Sequence, residues 1–214
     1  VTYNMDARQY MVEHAESDAF DIVFGDAFND FSVPYHLTTL EFARLVDDSL
    51  RDDGVYVVNI IDGGQRGQFL RAFVTTMRAV WEHVAVIPSI SSWRDAVRST
   101  FVIVSSHQPP DLSGVPASMT VLSQAEIDGY LAEKPTGVLT DDYVPVDNYL
   151  AGVFSDSAED FSLDASWSQV ITERATVLGG GAGVLVVAAV IGQVLRKRAA
   201  RRHAGAQEPD DSAN

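Results

Sequence analysis

The chain has 214 residues, with 30 Asp and Glu against 15 Lys and Arg, and a formal net charge of −15. This length is enough to bury the core of one ordinary domain and to carry appendages. The chain has no cysteine, which excludes disulfides, zinc fingers and thiol catalysis. An acidic surface repels phosphates, so nucleic-acid binding is not expected, whereas a cationic partner would suit it.

Strands and helices alternate over the first half of the chain. Residues 1–5 are expected to end a strand, and Asp6 to cap a helix that reaches about Glu16. A capping box at Thr38 and Glu41 begins a second helix, which is expected to end at Asp53-Gly54. Apolar, β-branched runs predict strands at 20–25, 55–61, 84–87 and 100–104, and helical spacing predicts a further helix over 69–80. This alternation predicts an α/β fold with a mainly parallel sheet and helices on both sides.

The sequence turns polar and rich in proline at 107–114, so the sheet domain is assigned to residues 1–110. An extension of that domain follows over 111–150. Within it, Ser123 and Glu126 have the spacing of a capping box and predict a short helix. Residues 151–174 are acidic and are expected to form a linker.

Residues 175–195 contain no charged side chain. As a helix they would reach about 30 Å, the thickness of the hydrocarbon core of a bilayer. We therefore predict a transmembrane helix here, in preference to a buried core helix, and a membrane location for the protein. The disordered tail over 196–214 begins with five basic residues, so the positive-inside rule places it in the cytoplasm. The side of the membrane on which the sheet domain lies stays open.

Asp26 is the first candidate for chemistry. It follows the apolar strand at 20–25 and precedes a loop rich in acids and aromatics. In open α/β sheets, ligands bind beyond the carboxyl ends of the strands, so a carboxylate placed there faces a ligand. The alternative is an Asp that only forms a turn.

These segments resemble the spermidine synthase (aminopropyltransferase) family. The resemblance is carried by Asp6-Ala7-Arg8, by the run from Phe20 to Phe28, and by Gly54-Val55-Tyr56. Two longer runs, 33–42 and 139–147, are similar in particular to membrane-associated, spermidine-synthase-like proteins. The resemblance covers about residues 1–150. It implies that the glycine-rich cofactor loop and the ribose-binding acid lie upstream of Val1, in a longer protein.

The resemblance implies a Rossmann-like, methyltransferase-type sheet that moves an aminopropyl group from decarboxylated S-adenosylmethionine to a small cationic amine such as a diamine. Asp26 would be the general base, because an amine attacks carbon only in its neutral form. Asp26 would also contact the donor, together with Asp6 and Ala7. The expected residues on the acceptor side are Asn29, Asp30, Tyr35, Trp93 and Asp141.

The sequence departs from the family at two places. Asn29 stands where a second acid is usual, and Ser91 to Asp95 replace a segment that carries a substrate-side tyrosine. Arg94 and Arg98 would disfavour a diamine if they faced the pocket. Two alternatives therefore stay open, namely methyl transfer from S-adenosylmethionine and a membrane-anchored binding module without turnover. The histidines lack ligand spacing, so no metal is expected, and homo-oligomerisation stays open.

Overall fold

The computed structural model describes residues 1–27 and 33–151, together with Gly192 and Arg196. In chain order the elements are α1 (Ala7–Glu13), β1 (Phe20–Gly25), a 3-10 turn (Tyr35–Leu37), α2 (Leu40–Ser49), β2 (Leu50–Asp62), α3 (Phe69–Met77), β3 (His83–Pro88), β4 (Ser99–Ser106) and α4 (Gln124–Glu133). The four strands predicted from apolar runs are all present. Residues 1–5 form no strand, and α1 ends earlier than expected.

The four strands form one sheet in the order β1-β2-β4-β3. β1 and β2 pair in parallel, whereas β4 pairs antiparallel with both β2 and β3. The prediction of a mainly parallel sheet is therefore wrong for the pairing, although β1, β2 and β3 share one direction. The connection between β3 and β4 spans only residues 89–98, which is too short for the helical crossover that a parallel pair needs. The chain therefore turns back, and β4 runs antiparallel.

Alternate residues of β2 belong to two different apolar clusters. Tyr56, Val58 and Ile60 pack with core residues of α2, α3 and α4, and α1 adds Met11 to the same cluster. Val55 and Val57 point to the opposite face, as the period of two in a strand requires. That face is packed against Leu112, Val115 and Met119. The expectation of helices on both sides is thus wrong for residues 1–27 and 33–151, whose helices all pack on the first face.

The junction between α2 and β2 also differs from the prediction. The helix ends at Ser49, and β2 begins at once with Leu50. Phe20 pairs with Leu50 but Ile22 pairs with Val55, so residues 51–54 bulge out of the ladder. A Cβ on Gly54 would lie 2.8 Å from the carbonyl oxygen of Arg51. Space in this bulge, and not a left-handed helix end, therefore requires the glycine.

The predicted caps of α2 and α4 are present, except that the cap of α2 lies one residue later than predicted. Ser123 and Glu126 form the expected capping box at the start of α4. The residue that caps α2 is Thr39, not Thr38, and its hydroxyl accepts from the backbone N–H of Phe42.

Among the described residues, no helix has the length and apolar character needed to cross a bilayer. The transmembrane segment predicted over 175–195 falls outside them, apart from Gly192. Almost all of the predicted linker and tail fall outside them as well.

Candidate active site

The carboxyl end of β1 brings Asp26 beside Asn59, which lies inside the neighbouring strand β2. Gly25 pairs with Val58 in the parallel ladder, so the next residue on each strand lies side by side. The Asn59 amide Nδ2 lies 3.4 Å from Asp26 Oδ1, which is a long hydrogen bond. The Asp26 side chain itself is exposed. The strand end therefore presents a carboxylate that a ligand can reach, with an amide beside it.

The other polar atom of Asn59 is the more informative one. Its Oδ1 is buried and has no hydrogen-bond partner. Buried polar atoms are rarely left unpaired, because losing hydration without a replacement costs about 1–3 kcal/mol. A bound N–H donor would satisfy this oxygen. Asn59 was missed in the sequence because it lies inside a strand, where its only signal is one polar residue in the apolar run 55–61.

Asp6 belongs to a separate polar cluster at the start of α1. Its Oδ1 accepts from the backbone N–H groups of Arg8 at 2.9 Å and Gln9 at 3.1 Å. Its Oδ2 lies 2.8 Å from His36 Nε2, and this contact, together with the backbone hydrogen bonds, lowers the pKa of Asp6. The predicted helix cap is confirmed. Ala7, the other residue predicted to contact the donor, is exposed in the first turn of α1.

Asp141 is joined to the same cluster through Arg8. The guanidinium donates to both carboxylate oxygens of Asp141, at 2.7 and 2.5 Å, which is a bidentate pair. This ion pair lowers the pKa of Asp141. The hydroxyl of Thr39 donates to Asp141 at 2.8 Å, and the backbone N–H of Asp141 donates to Glu41 at 2.9 Å. Asp141 therefore ties α1 to the start of α2, and its role in binding an acceptor stays a prediction.

The remaining predicted acceptor residues lie in different settings. Tyr35, in the 3-10 turn, is 58% exposed, so its ring is available to a ligand. Trp93 is only 5% exposed and packs edge-on against Phe101 and Tyr130, as a core side chain does. Asn29 and Asp30 fall outside the described residues.

Asp62, the last residue of β2, is a buried carboxyl that the sequence did not reveal. It is 0% exposed, and its two oxygens accept from the backbone N–H groups of Gly63 and Leu70, both at 2.7 Å. Burial raises its pKa to about 7, although the hydrogen bonds and the nearby Arg71 act in the opposite direction. Asp62 therefore anchors the start of α3 and the loop between β2 and α3.

A buried arginine and a tyrosine of α4 hold that loop from the other side. Arg71 is 1% exposed, and its guanidinium lies 3.6 Å above the ring of Tyr130. It donates to the backbone oxygens of Tyr130 and Gly67. The Tyr130 hydroxyl donates to the carbonyl of Gly64 at 2.8 Å. The turn at 63–67, which has no nucleotide-binding glycine spacing, is thus fixed by α4.

His107 lies at the opposite edge of the sheet, just after β4. Its ring nitrogens lie 2.5 Å from Glu82 and 2.8 Å from Asp47. Burial lowers the pKa of His107, but the two carboxylates outweigh it and the pKa is raised. In the part of the chain that the structure describes, no group of three His, Asp or Glu side chains could hold a metal.

The chain is similar in part to known polyamine enzymes. No protein-family profile matches it. Over 69 residues it is 33% identical to a probable polyamine aminopropyl transferase of Bifidobacterium longum, a match that spans 31% of this chain and 15% of that protein.

The fold is similar to that of solved structures. The chain superposes on a probable spermidine synthase from Corynebacterium glutamicum with a TM-score of 0.52 and 20% identity, over 64% of this chain and 52% of that one. The spermidine synthase of Thermotoga maritima is less similar, with a TM-score of 0.37, 14% identity, and coverage of 69% and 48%. The chain thus spans about half the length of these solved proteins. Part of the sequence is thus similar to a probable polyamine aminopropyl transferase and the fold to a probable spermidine synthase, and both findings support the resemblance carried by the motifs.

Proposed function

We propose that this chain forms part of an aminopropyltransferase that moves an aminopropyl group from decarboxylated S-adenosylmethionine to an amine. The observation that carries the proposal is that Asp26, just beyond the end of β1, lies beside Asn59 of the adjacent parallel strand β2. The names of the relatives, a polyamine aminopropyl transferase and spermidine synthases, support the reaction class.

The reaction needs two groups at one place, a general base and a hydrogen-bond acceptor for an N–H of the attacking amine. The attacking nitrogen must lose a proton before its lone pair can form the new C–N bond. Asp26 takes that proton, and its charge also draws a cationic amine to the strand end. Asn59 Oδ1, which is buried without a partner, accepts a second N–H and so orients the lone pair. The donor supplies an electrophilic carbon next to a sulfonium, whose C–S bond breaks to release methylthioadenosine.

On the donor side the proposal includes Asp6 and Ala7 along with Asp26. On the acceptor side it includes Asn29, Asp30 and Tyr35. A membrane anchor over 175–195, with a cytoplasmic C-terminal tail, is proposed from the sequence alone. Alkaline carbonate extraction of membranes tests the anchor, because an integral protein stays in the pellet and a peripheral one is released.

The reaction is tested by incubating the full-length protein with decarboxylated S-adenosylmethionine and a panel of amines, and by measuring methylthioadenosine. Asp26→Asn should lower the rate by about 10²- to 10⁴-fold, the usual contribution of a positioned base. Asn59→Leu should also lower it. The exposed Asp52, in the bulge of β2, offers a matched control, since Asp52→Asn removes the same charge and should leave the rate unchanged.

Two results would contradict the proposal. One is no methylthioadenosine with any amine, and the other is an unchanged rate in Asp26→Asn. Formation of S-adenosylhomocysteine from S-adenosylmethionine would instead assign the methyltransferase alternative.

A further inference from the structure

Gly25, the residue directly before Asp26, lies against the hydroxyl of a buried tyrosine. Tyr56 pairs with Val23 in the parallel ladder, and both side chains pack in the cluster on the face of the sheet that carries the helices. A Cβ placed on Gly25 would lie 3.1 Å from Tyr56 Oη and 3.4 Å from Cε2 of the same ring. To relieve the shorter contact, one of the two groups would have to move by a few tenths of an ångström.

The ring of Tyr56 has little freedom to move. Its side chain is 2% exposed, and its centre lies 5.6 Å from that of the Trp81 ring, which is also 2% exposed. The backbone of Tyr56 is paired on both sides, with Val23 of β1 and Ser105 of β4. Among the described strands, by contrast, β1 is paired only with β2. A clash at this contact would therefore displace the end of β1 and not the close-packed ring.

The end of β1 carries the carboxylate of the candidate site. Gly25 and Asp26 share a peptide bond, so a shift of one moves the other. The distance of 3.4 Å between Asn59 Nδ2 and Asp26 Oδ1 is already long for a hydrogen bond, and a shift of tenths of an ångström would change its strength. Burial raises the pKa of Tyr56, so its hydroxyl stays neutral and adds no negative charge near the base.

We propose that Tyr56 is a positioning residue for the reaction: its hydroxyl fixes the backbone at Gly25 and thereby sets where the Asp26 carboxylate meets the attacking amine. The inference rests on the proposed function for the role of Asp26 as the base. Misplacing a reacting group by 1 Å can cost about 10²-fold in rate. A shift of a few tenths of an ångström should then cost about three- to tenfold.

Moving one small group across the contact tests the inference. Gly25→Ala adds a methyl group against the hydroxyl, and Tyr56→Phe removes the hydroxyl and leaves the strand end without its support. Each single variant should lower kcat for methylthioadenosine release by about three- to tenfold. In the double variant the 3.4 Å contact to the ring remains, which is an ordinary distance. Its kcat should return to within about twofold of the wild type, whereas independent effects would multiply.

Gly54→Ala is the matched control. It makes the same substitution against β2, and its Cβ would lie even closer to a neighbour, 2.8 Å from the carbonyl oxygen of Arg51. Gly54 lies before Val55, at the other end of the ladder from Gly25. This variant should lose stability and keep the kcat of the wild type, so a fall in kcat caused only by weaker folding is recognised.

A second measurement does not depend on turnover. The ¹⁵N NMR signal of the Asn59 side-chain amide, identified by its loss in Asn59→Leu, should shift when the neighbouring Asp26 carboxylate is protonated. Gly25→Ala should change the size of that shift, and the double variant should restore it. If the wild type releases no methylthioadenosine but shows this pattern, the proposed function fails and the positioning by Tyr56 stands.

An unchanged kcat and amide shift in Gly25→Ala would overturn the inference, as would a double variant no closer to the wild type than Gly25→Ala. Circular dichroism shows whether each variant folds. Should Gly25→Ala alone fail to fold, a folded double variant with the kcat of the wild type supports the inference. Should both fail, Tyr56→Phe decides, because a wild-type kcat and amide shift without the hydroxyl would refute it.

Discussion

The change Asp62→Asn asks whether a fully buried carboxyl at the end of β2 makes the fold sensitive to pH. The pKa of Asp62 is about 7 in the folded chain, against an ordinary value of 3.8. The folded state therefore holds this proton more tightly than the unfolded state does. Stability from this group is fully present below pH 3.8 and is lost as the pH rises through 7. The difference between the two pKa values corresponds to about 4 kcal/mol, of which about 2.5 kcal/mol is lost between pH 5 and pH 8.

Urea unfolding of the wild type and of Asp62→Asn, followed by tryptophan fluorescence at pH 5, 6, 7 and 8, measures this loss. Asparagine cannot ionise, but it replaces one of two acceptor oxygens with an NH₂ group, which should cost about 1–3 kcal/mol at pH 5. The wild type should then lose its advantage by pH 8, where the two proteins should have similar stability or the variant the greater.

A stability difference that stays constant from pH 5 to pH 8 would refute the reasoning. Asp52→Asn is the control, because it makes the same substitution at an exposed position of the same strand. If Asp62→Asn does not fold, the titration of the Asp62 carboxyl can be followed in the wild type by ¹³C NMR instead. A midpoint near 7 is expected there, and a midpoint near 4 would contradict the burial argument.

Four further substitutions probe other parts of the fold. Arg8→Lys loses the bidentate pair with Asp141 and should lower the free energy of unfolding by only about 0.5–1 kcal/mol, because the pair is partly exposed. Urea unfolding measures this change, and an unchanged free energy would contradict the prediction. Gly67→Ala places a Cβ 2.0 Å from a backbone oxygen and should lower the melting temperature or prevent folding. Gly129→Ala places its Cβ in open space within α4 and should raise the free energy of unfolding by about 0.5–1 kcal/mol. His107→Gln should lower the free energy of unfolding by less than about 1 kcal/mol, and by more at pH 6 than at pH 9. The reason is that the raised pKa of His107 gives stability that is lost as the pH rises, so equal losses at both pH values would contradict the prediction.

The strands were predictable because each is a short apolar, β-branched run. β1 has the predicted bounds, and β3 and β4 exceed theirs by a residue or two at each end. The start of β2 was not predictable, because Asp52, Asp53 and Gly54 have low strand propensity. These residues bulge out of the ladder with β1, and the strand continues through them because Leu50 before the bulge and Val55 after it both pair with β1. The antiparallel direction of β4 could not be predicted from hydrophobic periodicity either, because it depends on the length of the connection between β3 and β4.

Only the part of the site that follows from position in the chain was predictable. Asp26 follows an apolar strand, and this alone marks it as a candidate. Asn59 acquires its role from the register that places it beside Asp26, which no local pattern contains. Asp62 precedes a glycine pair, so its sequence context indicates a turn, and only burial shows a carboxyl that anchors a helix.

The hydrogen bond from Tyr130 to Gly64 has a consequence for how the chain acquires its fold during translation. The two residues are 66 positions apart. At about 5–20 residues per second, a ribosome needs roughly 3–13 s to synthesise the stretch between them. During that interval the turn after β2 lacks the residue that fixes it, although its strand is already available for pairing. The turn should therefore be among the last parts of the sheet domain to become resistant to protease in a nascent chain.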